Sequence, residues 1–153
     1  MEDIRIRVAT AEDCPRILEL MRELAAFEGY LDAFAVTLDS LRQHYLEQQH
    51  IGILAAELND NIEGILVYFF QPFTYDLTPW MIVKELYVSQ ACRGLSAGQK
   101  LMLAAKDICQ QRGGSKMKWE VLTDNLPARN FYEKLGATIA DEWRSMSLRV
   151  SPK

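Results

Sequence analysis

The sequence contains no apolar run of about 18 residues, the length that a membrane-spanning helix requires. Its first residues, Met1-Glu2-Asp3, are acidic where a secretory leader is basic and then apolar. Membrane insertion and secretion are therefore not expected, and a cytoplasmic setting is. Cysteine is scarce: Cys14, Cys92 and Cys109 form no CxxC pair and are odd in number, which predicts reduced thiols. There is no HExxH, and His44 and His50 lack the partners of a metal-ligand set, so no metal site is expected. Positive charge is short as well, with 17 Lys and Arg against 21 Asp and Glu. That balance argues against nucleic acid as a main partner and permits a cationic one. Internal repeats, low-complexity tracts and linkers are absent, and 153 residues suit a single domain, 1–153, with a substantial core.

What is present reads as alternating strands and helices. Residues 3–9 alternate apolar and charged as a half-buried strand does. Thr10 with Asp13 resembles a capping box, and Ile17, Met21 and Leu24 then trace the buried face of a helix that Gly29 stops. Arg16, Glu19 and Glu23 trace its polar face. A shorter helix is predicted from Thr37 or Leu38 to about Glu47. Residues 51–58 and 62–71 form a hairpin through Asn59-Asp60-Asn61, and 72–80 is irregular. Strands are expected at 81–88, 115–122, 137–140 and 143–150. Helices are expected at 95–112 and from Asp124 or Asn125 to Leu135, the latter closed by Gly136. The strands flanking the 95–112 helix should be parallel neighbours joined by a right-handed crossover. The fold class is α/β, with a mixed, mostly antiparallel sheet and about four helices.

Residues 81–102 organise the rest: an apolar strand, a basic small-residue turn, then an amphipathic helix. A helix N-terminus offers free N–H groups and partial positive charge to a phosphate. Gly94 and Gly98 permit close backbone approach, and Arg93 adds a cation. The loop has neither the Gly-Lys-Ser/Thr ending of a Walker A motif nor a GxGxxG turn. A ligand-free strand-to-helix turn accounts for it equally well.

The loop Arg93-Gly94-Leu95-Ser96-Ala97-Gly98 resembles the Arg/Gln-x-x-Gly-x-Gly/Ala motif of the GNAT N-acetyltransferase superfamily, departing from it at Ser96. The later Asn125, Ala128, Phe131, Tyr132 and Gly136 match that family's Asn-x-x-Ala-x-x-Phe-Tyr-x-x-x-Gly signature. The stretch ATAEDCPRILELMRELAAFE, the segment FTYDLTPW and Glu142-Trp143-Arg144 are similar to the diamine (spermidine/spermine) and thialysine-type acetyltransferases.

The resemblance implies acetyl-CoA as co-substrate, with its pyrophosphate on residues 93–98 and Gln99. Pantetheine would lie in a splay between the strand ending at Tyr87-Val88 and the strand 115–122, with Asn125, Ala128 and Tyr132 also at the cofactor. A homodimer is implied too. Acetyl transfer needs a neutral amine, donors for the oxyanion, which a backbone N–H near Tyr87–Ser89 supplies, and a proton for the thiolate. By resemblance Tyr132 gives that proton; packing against Phe131 is its structural alternative. Glu85, a carboxylate inside a strand, would hold the cationic amine and take its proton through water, or else form an ion pair with Lys84 or Lys118. Glu28, Asp76 and Trp80 match substrate-site residues, although Leu77 and Thr78 are extra between the last two. Asp32 has less support. Cys92 precedes a helix N-terminus, but direct transfer needs no acyl-cysteine, so a spectator thiol is expected. The reading is an amine N-acetyltransferase for a diamine, polyamine or thialysine-like amino acid. The alternatives are a GNAT enzyme for another acceptor, such as an amino acid, peptide or protein N-terminus, and a catalytically silent CoA-binding module.

Overall fold

A computed structural model describes residues 3–153. Strand β1 (Arg5–Val8) leads into helix α1 (Cys14–Phe27) through the expected cap. The Thr10 amide donates to Asp13 Oδ2 at 2.7 Å. Arg7 forks onto the same carboxylate at 2.7 and 3.0 Å and reaches Glu57 at 3.3 Å. These bonds tie the start of α1 to β1 and its neighbour β2 (Gly52–Leu58). The Arg7 hydrogen bonds, opposed by burial and helped by Thr10, hold the Asp13 carboxyl down at about 2.

Helix α2 (Leu38–Arg42) is capped by Thr37, whose Oγ1 accepts the Ser40 amide at 3.0 Å. It continues as a wider π turn over Gln43–Glu47, so the predicted 37–47 helix is present with a loosened end. The Tyr45 hydroxyl there donates to the carbonyl of Ala9 at 2.5 Å. Strand β3 (Asn61–Pro72) returns from β2 through Asn59 and Asp60, both at positive φ, the role their side chains tolerate best. Strand β4 (Pro79–Val88), helix α3 (Ala97–Gln111) and strand β5 (Lys116–Trp119) complete the sheet.

The five strands lie in sequence order, antiparallel except for the parallel pair β4–β5. Helices α1 and α2 cover one face, where Ile17, Leu20, Leu41 and Tyr45 pack on Ile53, Ala55, Ile65 and Val67. Helix α3 covers the other. A Cβ on Gly64, which alternates with Ile65, would sit 3.2 Å from the Ala56 Cβ and 3.3 Å from the Tyr87 carbonyl, with Leu101 of α3 at 3.4 Å, so this face of the sheet is closely packed there. Complete burial of Ile17, Leu20, Ile65, Leu66, Met81 and Leu101 marks the two layers of core.

The chain divides after Glu120 into two compact units. The second contains helix α4 (Leu126–Lys134), opened by Asn125, whose side chain accepts the Ala128 amide at 3.2 Å, with Pro127 in the first turn. The strands expected at 137–140 and 143–150 do not form: no described residue after Trp119 lies in a strand. Met146, Leu148 and Val150 do alternate, but they are 97%, 89% and 74% exposed. Alternation by itself does not make a strand, which also needs a partner for its hydrogen bonds. Strand β5 likewise ends at Trp119 rather than 122, where its partner leaves it.

Candidate active site

The site begins with one extra residue. In the β3–β4 ladder Val67 opposes Glu85 and Tyr68 opposes Val83, so Lys84 is bulged out of register. Strict alternation would put Glu85 on the face of Val83 and Met81, under α3. The bulge instead puts it opposite Val67, on the face of α1 and α2, together with Trp80 and Ile82. The last β4–β5 pair, Val83 with Trp119, is adjacent to this bulge. From there to Val88, β4 keeps β3 on one side and has no strand on the other. A parting of the parallel pair and a free strand edge therefore coincide. At the fork lies a cleft of about 210 Å³, lined by Ile82, Val83, Lys84, Lys118, Trp119 and Glu120.

Glu85 is half-buried beside this fork. Burial raises its carboxyl above the ordinary range, Glu28 raises it further, and Lys84 opposes both. Two carboxylates predicted for one site, from the end of α1 and the middle of β4, thus lie close enough to repel. The ion pairs of Glu85 with Lys84 or Lys118 that would give it a purely structural role are absent among the described residues. Asp76 is placed differently. It is exposed in the turn 73–78, where its Oδ1 accepts the Thr78 amide at 2.9 Å and the Thr78 hydroxyl at 2.8 Å. These bonds hold its carboxyl below the usual range, and Asp76 is not among the charges acting on Glu85. The extra Leu77 and Thr78 complete that turn, with Leu77 at φ +61° and its amide on the Phe73 carbonyl at 2.6 Å. Trp80 stacks on Phe73 at 4.4 Å between ring centroids, and Lys116 Nζ lies 4.4 Å from the Trp80 ring centroid. Asp32 is exposed in a single 3₁₀ turn, Leu31–Ala33.

Beyond Val88 the chain makes a 3₁₀ turn, Gln90–Cys92, and enters α3 at Ala97. Gly94 has φ +81°, a conformation open to glycine at no steric cost. Ser96, the departure from the family pattern, has φ +64° and is the N-cap of α3, yet its side chain makes no capping bond. The amides of Ala97, Gly98 and Gln99 therefore meet neither a capping side chain nor an acidic residue in the first turn. Arg93 is exposed, with Nε 3.4 Å from the Val88 carbonyl, which ties the loop to the end of β4. This is a cradle suited to an anion. Cys92 is fully buried, as are Cys14 and Cys109 or nearly so, and no disulfide joins them.

Residues that the sequence did not single out brace this segment. Glu63, bulged in β3, accepts the Ser89 hydroxyl, and its carbonyl accepts the Ser89 amide at 2.8 Å. Arg16 reaches Glu63 at 3.3 Å, Glu19 at 2.9 Å and Glu23 at 3.6 Å, and donates to the Ile62 carbonyl at 2.9 Å. Glu23 accepts the Tyr87 hydroxyl at 3.0 Å. Burial, together with this carboxylate, raises the Tyr87 phenol. The spacing of Arg16, Glu19 and Glu23 was legible as a charged helix face; its partnership with Glu63 depends on the β3 bulge.

In the second unit, Tyr132 is half-buried on α4, edge-on to Phe131 at 5.2 Å. Asn125 and Ala128 form the cap of that helix, and Gly136 closes it at φ +96°.

The sheet forks at a β4 bulge, an anion cradle follows the same strand, and Glu85 stands on the face opposite α3. The sequence profile of the acetyltransferase (GNAT) family matches residues 15–137, and the chain belongs to that family. It is an N-acetyltransferase, an acyltransferase of the GNAT type. Over 149 residues it is 34% identical to human spermidine/spermine N(1)-acetyltransferase-like protein 1, covering 90% of this chain and 21% of that much longer protein. Over 156 residues it is 28% identical to mouse thialysine N-epsilon-acetyltransferase, covering 95% of this chain and 92% of the other. Ribosomal-protein-alanine N-acetyltransferase from Brucella melitensis shares the fold, with a TM-score of 0.77 at 21% identity over 97% of this chain and all of that one. Among the described residues, no helix is long and apolar enough to cross a membrane and no group of three metal-ligating side chains gathers.

Proposed function

We propose that the chain is a single-domain enzyme that transfers an acetyl group from acetyl-CoA to the amine of a small cationic acceptor, a diamine, polyamine or thialysine-like amino acid. The observation that carries this reading is the closeness of Glu85 and Glu28 at the fork of the sheet, with the Glu85 carboxyl raised. A raised carboxyl near an acceptor amine suits a base that works through water at neutral pH.

Arg93, Gly94, Leu95, Ser96 and the first amides of α3 (Ala97, Gly98, Gln99) hold the pyrophosphate, and the free edge of β4 at Tyr87 and Val88 pairs with the pantetheine amides. Asn125 and Ala128 complete the cofactor side. Glu28 and Glu85 attract the cation, with Trp80 and, from its turn, Asp76 bordering the acceptor. The neutral amine nitrogen attacks the thioester carbonyl carbon. A C–N bond forms, the carbonyl electrons move to oxygen opposite the Val88 amide, and the C–S bond then breaks. Tyr132 supplies the proton to the departing thiolate, and water leading to Glu85 takes the proton from nitrogen.

That no disulfide joins Cys14, Cys92 and Cys109 supports a reducing, cytoplasmic setting. The exposed Trp143, Met146, Leu148 and Val150 support a homodimer that covers them, which sedimentation at micromolar concentration would report. Release of CoA thiol with a panel of amines tests the reading. Turnover with small cationic amines is expected. Tight acetyl-CoA binding without turnover of any amine would make the chain a CoA-binding module instead.

A further inference from the structure

Acetyl transfer to an ammonium acceptor leaves one proton over, because the ammonium and the thioester become an amide, a thiol and a free proton. Glu85, half-buried at the fork, must return that proton to solvent before it can serve again. Tyr87 stands one pleat further along the same face of β4, packed against the core under α1 and α2 that includes Val67, the partner of Glu85. Its hydroxyl donates to Glu23 Oε1 at 3.0 Å. Glu23 lies on the polar face of α1, 44% exposed, with its other oxygen 3.6 Å from Arg16. A half-buried phenol thus stands between a half-buried acid and a carboxylate open to water. Burial and then Glu23 keep the phenol protonated, against the pull of Arg93 from the cofactor loop. A protonated hydroxyl can accept a proton on oxygen while giving its own away, and so carries protons without storing charge.

We propose that Tyr87 and Glu23 form the proton exit of the site, leading from Glu85 and its water through the Tyr87 oxygen to Glu23 and solvent. The inference rests on the amine-acetyltransferase reading above and adds the route by which its base is regenerated. Same-face neighbours on a strand are roughly 7 Å apart at Cα, a span that one water bridges between a carboxylate and a phenol. The Glu85 O–H bond breaks and its proton passes to that water, which gives one of its own to the Tyr87 oxygen. The original Tyr87 proton moves along the existing hydrogen bond to Glu23 Oε1. Glu23 releases it to solvent, and the phenol and both carboxylates end as they began. Neither Tyr87 nor Glu23 touches the acceptor in this scheme; both act through Glu85.

The test follows acetylated amine made by the full chain at low buffer concentration, and again with added imidazole at constant pH and ionic strength. In Tyr87→Phe and Glu23→Gln, kcat at low buffer should fall by about 10-fold, less than the roughly 10²–10⁴ of a group that meets the reacting atoms. The double variant should fall no further than either single one. Imidazole, a mobile proton carrier, should restore most of the loss, with the KM of amine and of acetyl-CoA unmoved. Glu23 is exposed, so Glu23→Gln should fold even where loss of the buried phenol disturbs packing. Arg16→Gln, which removes a brace and no proton carrier, should not respond to imidazole. Unchanged kcat in both variants overturns the inference, as does a fall that imidazole leaves in place, since the pair would then only brace β4. Either result leaves the acetyltransferase reading intact. No turnover of any amine by wild type removes both.

Discussion

Glu63 accepts the hydroxyl of Ser89, and so a bulge in β3 is locked to the last residue before the cofactor loop. Arg16, at 3.3 Å from the same carboxylate, extends the lock to α1, and Glu23 with Tyr87 closes it. Tyr87 and Ser89 flank Val88, whose amide is assigned to the oxyanion. Removing Arg16 leaves Glu63 half-paired and loosens that amide. Arg16→Gln is expected to lower kcat by about 10-fold, since an oxyanion donor is worth about 10²–10³ when lost altogether and here is only displaced. Amine KM should hardly change. Unaltered kcat with lowered Tm would reduce the network to a structural brace.

The loop separates two effects. Arg93→Ala should raise acetyl-CoA KM more than it lowers kcat, because the phosphates do not react. Ser96→Gly should act in the opposite sense. It relieves a left-handed conformation worth about 1 kcal/mol and removes a Cβ from the cradle, so acetyl-CoA KM should fall a few-fold. Thermal melting and initial rates on the same preparations check both; no change in KM for Arg93→Ala would displace the pyrophosphate from this loop.

Tyr132→Phe keeps the edge-on packing with Phe131 and deletes the phenolic proton. A fall in kcat of about 10- to 1000-fold is expected if the phenol protonates the thiolate. An unchanged kcat, measured where chemistry limits the rate, would leave Tyr132 a packing residue.

Glu85 carries a pH signature. Its carboxyl is raised by burial and then by Glu28, so the folded protein holds this proton more tightly than the unfolded chain does. That contribution to stability is greatest below the unfolded value and is lost as pH rises through the folded one. Glu85→Gln should therefore raise Tm at pH 8, and the difference should shrink toward pH 4. The same variant should lower kcat/KM for an acceptor with a second cationic group more than for a monoamine of equal length. Melting curves from pH 4 to 8 decide the first point; a Tm difference independent of pH would mean Glu85 is not a strained acid.

Asp13 works in the opposite direction. Its carboxyl is lowered from 3.8 to about 2 by Arg7, so its contribution is complete above the unfolded value and lost as pH falls through the folded one. Asp13→Asn should cost about 2 kcal/mol near neutrality. Wild type should lose that margin between about pH 4 and pH 2. Denaturant titrations across that window provide the measurement.

By itself the sequence determined every local element whose signal is local. Thr10-Asp13, Thr37, Asn59-Asp60, Asn125-Pro127, Gly94 and Gly136 each act through hydrogen bonds or φ values spanning a few residues, and each stands in the structure where its chemistry predicts. The loop and the α4 signature were enough to indicate the family, since both are contiguous. Tertiary structure decided what depends on a partner. The segment 143–150 has the alternation of a strand, yet none of its residues lies in one, because strand formation needs hydrogen-bond partners that alternation does not supply. Asp76 lies in a self-contained turn because Leu77 and Thr78 complete its hydrogen bonds. Arg16 found Glu63 only because β3 bulges there. Most consequentially, the side of the sheet on which Glu85 stands was not legible from alternation. A single unpaired residue, Lys84, shifts the period-two pattern by one, and such a shift is fixed by the neighbouring strand's register rather than by the residues that undergo it.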